Sequence, residues 1–107
     1  MGFDFANAVI IGENDIREFE RKILSETREI QKSFIKSNIE SAEWMINLIE
    51  LYQREGKINI NIEELSRSHL DSYPWDTEFF KVFCSFISHV KHEQKKSAFF
   101  GKSVKGN

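Results

Sequence analysis

Glycine and proline are scarce in this chain, and their scarcity limits its possible folds more than any other feature. The 107 residues include five glycines and a single proline, Pro74. Sheet architectures need frequent turn residues between their strands, whereas long helices need few. Hydrophobic residues make up 40% and charged residues 30%, as in ordinary globular domains. The sequence therefore predicts an all-α protein, an antiparallel bundle of four to five helices.

Capping patterns and glycines give the expected bounds of the first three helices. A short helix is predicted over residues 3–11, closed by Gly12, and a second helix begins at Asp15, which has an acid three residues later. Apolar side chains then recur every three or four residues, which predicts the buried face of this second helix. They are Ile16, Phe19, Ile23, Thr27, Ile30 and Phe34. A third helix, over about residues 38–54, is expected to end at Gly56 in a left-handed cap.

The second half of the chain is predicted to hold an extended linker, two helices and a tail. Asn61 has the spacing of a helix cap, so a short helix is expected over residues 62–70. The last helix, over about residues 76–93, should bury Phe79, Phe80, Phe83, Phe86, Ile87 and Val90. The expected organisation is a single helical domain over residues 1–94, followed by a basic, flexible tail over residues 95–107.

The bend between the last two helices, "DSYPWD", has two interpretations. In the architectural one, Pro74 stops a helix, Asp76 caps the next helix, and Trp75 packs over Phe80 as a hydrophobic staple. In the other, the bend is also a recognition surface, which requires Tyr73 to be exposed. Both interpretations stay open at the level of sequence.

Candidate catalytic and metal-binding residues are few. His89 and His92 are three residues apart, but only Cys84, His69 or nearby acids could complete a metal site, and no spacing enforces one. Cys84 lies among aromatic residues, as small core residues do, without the electropositive setting of a nucleophile. Nothing forces a pair of carboxylates to be buried together. The sequence therefore predicts no catalytic residue, no metal and no cofactor, hence not an enzyme.

Charge is distributed unevenly along the chain. Residues 38–78 carry nine acids and three bases, and residues 79–107 carry six lysines and one acid, within an overall net charge of −2. The acidic block indicates a surface for a basic protein, with aromatic side chains as anchors. The predicted partner-binding residues are Glu40, Glu43, Glu50, Glu63, Glu64, Asp71, Tyr73, Trp75 and Asp76. The alternative for the acidic residues is an ordinary solvated face. The alternative for the lysines is a tail that binds nucleic acid.

The expected cellular location is inferred from the lack of a recognisable signal peptide, membrane-spanning segment or cysteine pair in the sequence. Its first residues have no basic segment of a signal peptide, and no apolar run approaches the roughly 20 residues that span a bilayer. The single cysteine, Cys84, cannot form an internal disulfide, which favours a reducing compartment. We therefore expect a cytoplasmic protein that contacts neither membrane nor nucleic acid directly and is a monomer or weak dimer when free.

The opening "FANAVIIGENDIREFERKIL" resembles the start of colicin D-type immunity proteins, and contact-dependent growth inhibition systems use immunity proteins of similar size and character. The matching positions are Ile16, the pair Glu18-Phe19, Ile23 and Leu24. The resemblance covers about 25 residues and implies a helical bundle that binds a cationic ribonuclease toxin, often one that cuts transfer RNA. Such a protein blocks the toxin's active site with acidic residues. The alternative function is a small helical adaptor or regulatory subunit, phage- or plasmid-encoded, with no toxin partner.

Overall fold

The computed structural model describes residues 2–58 and 61–105, apart from the side chains of Glu63, Leu65 and residues 96–105. The described residues form four helices and no strand. The helices are α1 (Phe5–Ser25), α2 (Glu29–Glu55), α3 (Ile62–Ser72) and α4 (Glu78–Lys105). The prediction of an all-α helical bundle is confirmed. No helix in the described part of the chain combines the length and apolar character needed to cross a bilayer.

Helix α1 is continuous through Gly12, so the prediction that this glycine ends a short helix was wrong. The helix begins after Asp4, whose carboxylate accepts a hydrogen bond of 3.0 Å from the backbone N–H of Asn7. Gly12 is buried where α1 meets α2 and α4, and a Cβ there would lie only 2.8 Å from Ile46 Cγ1 and Phe79 Cζ. Its role is to permit close helix packing rather than to stop the chain.

The turn between α1 and α2 interrupts a segment that the sequence predicts as one helix. The Glu26 carboxylate accepts hydrogen bonds of 3.0 Å from the backbone N–H groups of Thr27 and Arg28, and it also binds the Arg28 guanidinium at 3.1 Å. These bonds to Arg28 lower the pKa of Glu26 to about 2. Helix α2 therefore starts at Glu29, well before the predicted start near residue 38.

Restarting the helix at Glu29 changes which side chains face the core. Phe19 of α1 is buried as predicted, but Ile30 and Phe34 of α2 are 70% and 62% exposed. Their prediction as core residues was wrong because it assumed one uninterrupted helical phase. The buried face of α2 begins farther along, with Ser41, Ala42, Met45, Ile46, Leu48, Ile49 and Tyr52.

Aromatic side chains fill much of the core. Phe79, Phe83, Phe86 and Val90 of α4 are fully buried, while Phe80 and Ile87 are partly buried. At the end of the bundle that contains the N-terminal segment, five rings pack together at centroid distances of 5.3–6.4 Å. They belong to Phe3, Phe5, Tyr52, Phe86 and His89. Edge-to-face contacts of this kind stabilise aromatic cores beyond simple burial.

The caps on either side of the connection from α2 to α3 agree with the prediction, while residues 59 and 60 of the predicted extended linker lie outside the described residues. Gly56 adopts a left-handed conformation with φ of 73° and caps α2. The side chain of Asn61 accepts a hydrogen bond of 3.1 Å from the Glu64 amide and caps α3. Gln94 of α4 donates a hydrogen bond of 2.8 Å to the Ile58 carbonyl, which ties the linker to the last helix. Helix α4 continues to Lys105, and the flexibility predicted for the tail stays a prediction.

Candidate binding surface

The bend between α3 and α4 is anchored from inside by Tyr73. Its side chain is only 3% exposed and packs edge-to-face against Phe19 and Phe79, at centroid distances of 5.7 and 6.3 Å. Its hydroxyl donates a hydrogen bond of 2.8 Å to Asp15 Oδ2 of α1. The prediction of Tyr73 as an exposed partner-binding residue was therefore wrong, because this ring fills the space between α1 and the start of α4.

The Asp15 carboxylate joins α1 to the beginning of α4. Its oxygen Oδ2 accepts the hydrogen bond of the Tyr73 hydroxyl, and the Thr77 hydroxyl and the backbone N–H of Phe79 are close enough to favour its charged form. Burial nevertheless raises the pKa of Asp15, and the nearby Glu78 acts in the same direction, against these hydrogen bonds. Burial and the bond to Asp15 raise the pKa of Tyr73, so the phenol stays protonated and donates. Asp15 thus stabilises the bend rather than capping its own helix.

Thr77, not Asp76, caps helix α4. The Thr77 hydroxyl accepts a hydrogen bond of 3.3 Å from the backbone N–H of Phe80 and donates one of 2.8 Å to the Pro74 carbonyl. This shifts the cap one residue along from the prediction and removes Trp75 from the position of a hydrophobic staple. Trp75 is 76% exposed, so it does not cover Phe80 as the architectural interpretation required.

Trp75 stands among carboxylates on the outside of the bend. Asp71 at the end of α3, Asp76 beside the indole and Glu78 in the first turn of α4 are all exposed. We call Asp71, Trp75, Asp76 and Glu78 the bend surface. Glu78 is absent from the predicted partner-binding residues, although its place next to an acidic bend was visible in the sequence. The bend surface combines an exposed aromatic anchor with negative charge on a segment held from within.

The acidic residues of α2 form a separate surface. Glu40, Glu43 and Glu50 are exposed, and their spacings of three and seven residues place them on one side of the helix. Helix α3 contacts a different side of α2, where His69 stacks on Trp44 at 4.2 Å and lies 3.2 Å from Ser41 Oγ. At about 100° of rotation per residue, that side is roughly a third of a turn from the acidic one.

Helix α3 carries predicted partner-binding acids at both of its ends. Glu64 and Asp71 are exposed and seven residues apart, so they share one side of α3. Asp71 lies next to the bend, whereas Glu64 lies about two helical turns away, in the first turn of α3. The Glu63 side chain lies outside the described residues. The exposed predicted residues thus lie partly at the bend, partly on α3 and partly on α2.

Histidine and cysteine side chains do not converge on a site. His69 stacks on Trp44, and His89 lies in the aromatic cluster beside Phe3 and Phe5. Among the side chains that the structure describes, no three His, Cys, Asp or Glu residues could hold a metal ion together. Burial raises the pKa of the Cys84 thiol, which favours the protonated form over a nucleophilic thiolate.

A shallow groove of about 390 Å³ runs between α3 and α4, beside the bend surface. Leu70, Phe80, Cys84 and Ile87 provide its apolar lining, and Arg67, Asp71, Ser88 and Lys91 provide its polar part. Asp71 belongs to both the groove and the bend surface. The groove therefore adjoins the bend surface at Asp71.

Protein-family models, curated protein sequences and solved structures contain no match to this chain.

Proposed function

We propose that this protein is an inhibitory binding protein that docks on a basic protein through the bend surface. In the terms of the family it resembles, it is a bacterial immunity protein that covers the active site of a cationic nuclease toxin, with a tRNA-cleaving ribonuclease as the expected class. It works in the cytoplasm as a stoichiometric inhibitor and catalyses nothing. The observation that carries this proposal is the 76% exposure of Trp75 among the carboxylates of the bend.

The anchoring of the bend supports a role in recognition. Exposed tryptophan side chains are frequent hot spots of protein interfaces, where one residue contributes about 2 kcal/mol or more. Such a residue binds tightly when its position is fixed before the partner arrives, because little freedom is then lost on binding. The bond between Tyr73 and Asp15 and the cap at Thr77 fix the backbone on both sides of Trp75.

The charge of the bend surface determines the kind of partner. Asp71, Asp76 and Glu78 are exposed within eight residues of the chain. Glu18, Glu26 and Glu29 form ion pairs in α1, in α2 and in the turn between them, away from the bend. The carboxylates of the bend can therefore attract a cationic surface, such as one that binds RNA phosphates, and speed its association.

The test compares Trp75→Ala with a matched control, Leu24→Ala. Both side chains are large, apolar and exposed, at 76% and 87%, but Leu24 lies at the far end of α1, outside the bend surface. We expect Trp75→Ala to keep the wild-type melting temperature and to weaken binding to the nuclease encoded beside this gene by about 30-fold, the equivalent of about 2 kcal/mol. Leu24→Ala should change neither. Calorimetric titration and thermal melting measure both quantities.

Charge variants test the electrostatic part of the proposal. Because Thr77 is the cap, Asp76→Asn changes charge without removing a cap, so it should slow association while leaving stability unchanged. Added salt should slow association of the wild type, since it screens charges beyond about 10 Å at 0.1 M. The proposal fails if Trp75→Ala and Asp76→Asn both bind and inhibit like the wild type, or if no neighbouring gene encodes a nuclease.

A helical adaptor is the second candidate function, and the separate acidic surface of α2 favours it. A protein with two distinct docking surfaces can connect two partners. Charge reversal at Glu43 distinguishes the functions. In an inhibitor that uses the bend surface, Glu43→Lys keeps inhibition. In an adaptor, Glu43→Lys and Trp75→Ala each abolish binding of a different protein in pull-down experiments.

A further inference from the structure

The groove between α3 and α4 has the volume and the lining of a small-molecule site. Its volume of about 390 Å³ lies toward the lower end of the roughly 300–1,000 Å³ of ligand pockets. Half-buried side chains from both helices form its apolar floor, at Leu70, Phe80, Cys84 and Ile87. Ligand pockets combine such a floor with a few polar groups that fix the orientation of the ligand. The polar groups of this groove therefore indicate which ligand it can hold.

The charged side chains of the groove are separated along its length. Asp71 lies at the end next to the bend, whereas Arg67 lies one helical turn farther from the bend along α3, at about 6 Å. On α4, Lys91 lies about three turns beyond Phe80, or about 16 Å farther from the bend. The bend joins the end of α3 to the start of α4, so both helices extend away from it. The groove is therefore acidic at the bend and cationic at the far end.

This separation of charge determines the head group of the ligand. The guanidinium of Arg67 is a planar fork of donors that matches a carboxylate, and Lys91 adds a second positive charge. Asp71 is the sole acid among the lining residues that the structure describes, and it repels an anion from the opposite end. An anionic head group is therefore favoured at the end far from the bend, with its apolar chain along the floor toward Phe80.

We propose that this groove binds a single-chain carboxylate, a free small molecule with one anionic head group and one apolar tail. The head group pairs with Arg67 and Lys91, and the tail covers Phe80, Cys84 and Ile87. Because the groove is shallow, one side of the tail stays in contact with water and binding is weaker than in an enclosed pocket. The proposal does not depend on the function of the bend surface.

The single cysteine of the chain reports whether the groove is occupied, because Cys84 lies on its floor. A neutral aromatic disulfide modifies this thiol in the full folded chain, and bound octanoate should slow the reaction. Octanol has the same tail without the charge, so octanoate should protect Cys84 with an affinity about fivefold higher, the scale of a favourable exposed ion pair. Octanoate should also bind about fourfold more tightly than hexanoate, since roughly half of the surface of its two further CH₂ groups is covered.

Two matched variants test the contribution of Arg67. Arg67→Gln removes a positive charge from the groove at an exposed position, so the advantage of octanoate over octanol should largely disappear. Arg54→Gln removes the same charge from an exposed position in the last turn of α2, outside the groove, and should leave protection unchanged. Circular dichroism establishes that both variants are folded and that octanoate does not unfold the wild type.

The carboxylate site is refuted if octanoate leaves the modification rate unchanged at every concentration below micelle formation. Equal protection by octanol, or wild-type protection in Arg67→Gln, also refutes it. Protection by vesicles of anionic phospholipid, with none by octanoate, would assign the groove to a membrane surface and would overturn a free carboxylate as the ligand. Trp75→Ala should keep protection by octanoate and Arg67→Gln should keep nuclease binding, so the failures of the two proposals are distinguishable.

Discussion

Replacing Gly12 by alanine should destabilise the protein, although alanine is the better helix former. Within a helix, alanine is favoured over glycine by about 1 kcal/mol. Against this, the new Cβ would lie 2.8 and 2.9 Å from Cγ1 and Cδ1 of Ile46 and 2.8 Å from Cζ of Phe79. Carbon atoms pack best at about 3.5–4.0 Å, so both side chains must move by more than half an ångström.

The surroundings of Gly12 leave little room for that movement. Phe79 is fully buried and Ile46 is 8% exposed, at the junction of three helices. Overpacking of a core costs about 1–3 kcal/mol, which equals or exceeds the gain in helix propensity. We therefore expect Gly12→Ala to lower the free energy of unfolding by about 0–2 kcal/mol, and a larger residue such as valine to lower it further. Urea denaturation followed by circular dichroism measures the change.

A double-mutant cycle identifies the cause. Ile46→Ala removes two of the three crowding atoms, so in that background Gly12→Ala should become about 1–2 kcal/mol more favourable than in the wild type. If Gly12→Ala instead stabilises the wild type by about 1 kcal/mol, with no coupling to Ile46, helix propensity alone governs this position and the packing argument is refuted.

Two further predictions concern pH. Because the pKa of Asp15 is raised in the folded protein, its ionisation costs stability as pH rises above its ordinary value of 3.8. The Asp15→Asn variant should therefore gain free energy of unfolding relative to the wild type across that range, and a difference independent of pH would contradict the assigned cause. The lowered pKa of Glu26 gives stability the opposite dependence on pH. The stability that the ionised Glu26 carboxylate contributes is complete above pH 4.5 and is lost as the pH falls toward about 2. Glu26→Gln should thus be less stable than the wild type near neutral pH and should approach it as the pH falls through about 2, which acid titrations of both proteins would establish.

The helical class of the fold could be predicted because it depends on features spread over the whole chain. Few turn residues and repeated apolar spacings lead to the same conclusion at many positions. Single boundaries depend on local chemistry and were less predictable. Glycine is common at the ends of helices, but Gly12 lies inside α1 and permits close packing of the helices. The turn at Glu26 has neither glycine nor proline, and a carboxylate that captures two backbone amides produces it instead.

The inner and outer sides of the bend could not be predicted from its own residues. Tyr73 and Trp75 are both large aromatic side chains beside Pro74, and local sequence does not say which one turns inward. Asp15, 58 residues away along the chain, provides the partner that fixes the Tyr73 hydroxyl. Trp75, with no place inside, remains on the surface. An acidic and aromatic bend was thus predictable as a candidate site, while the choice between Tyr73 and Trp75 as its exposed aromatic side chain was not.

The bond between Asp15 and Tyr73 also sets an order of assembly. It closes a loop of 58 residues, whereas α1 and α2 meet across a turn of three residues. Since the entropy lost on loop closure grows with loop length, the α1–α2 hairpin can form early, and the contact between bend and α1 must come later. A newly made chain therefore exposes Phe19 and the Gly12 junction until α4 arrives. The bend surface takes its final shape only in that last step, so a partner that needs Trp75 in place selects completely folded molecules.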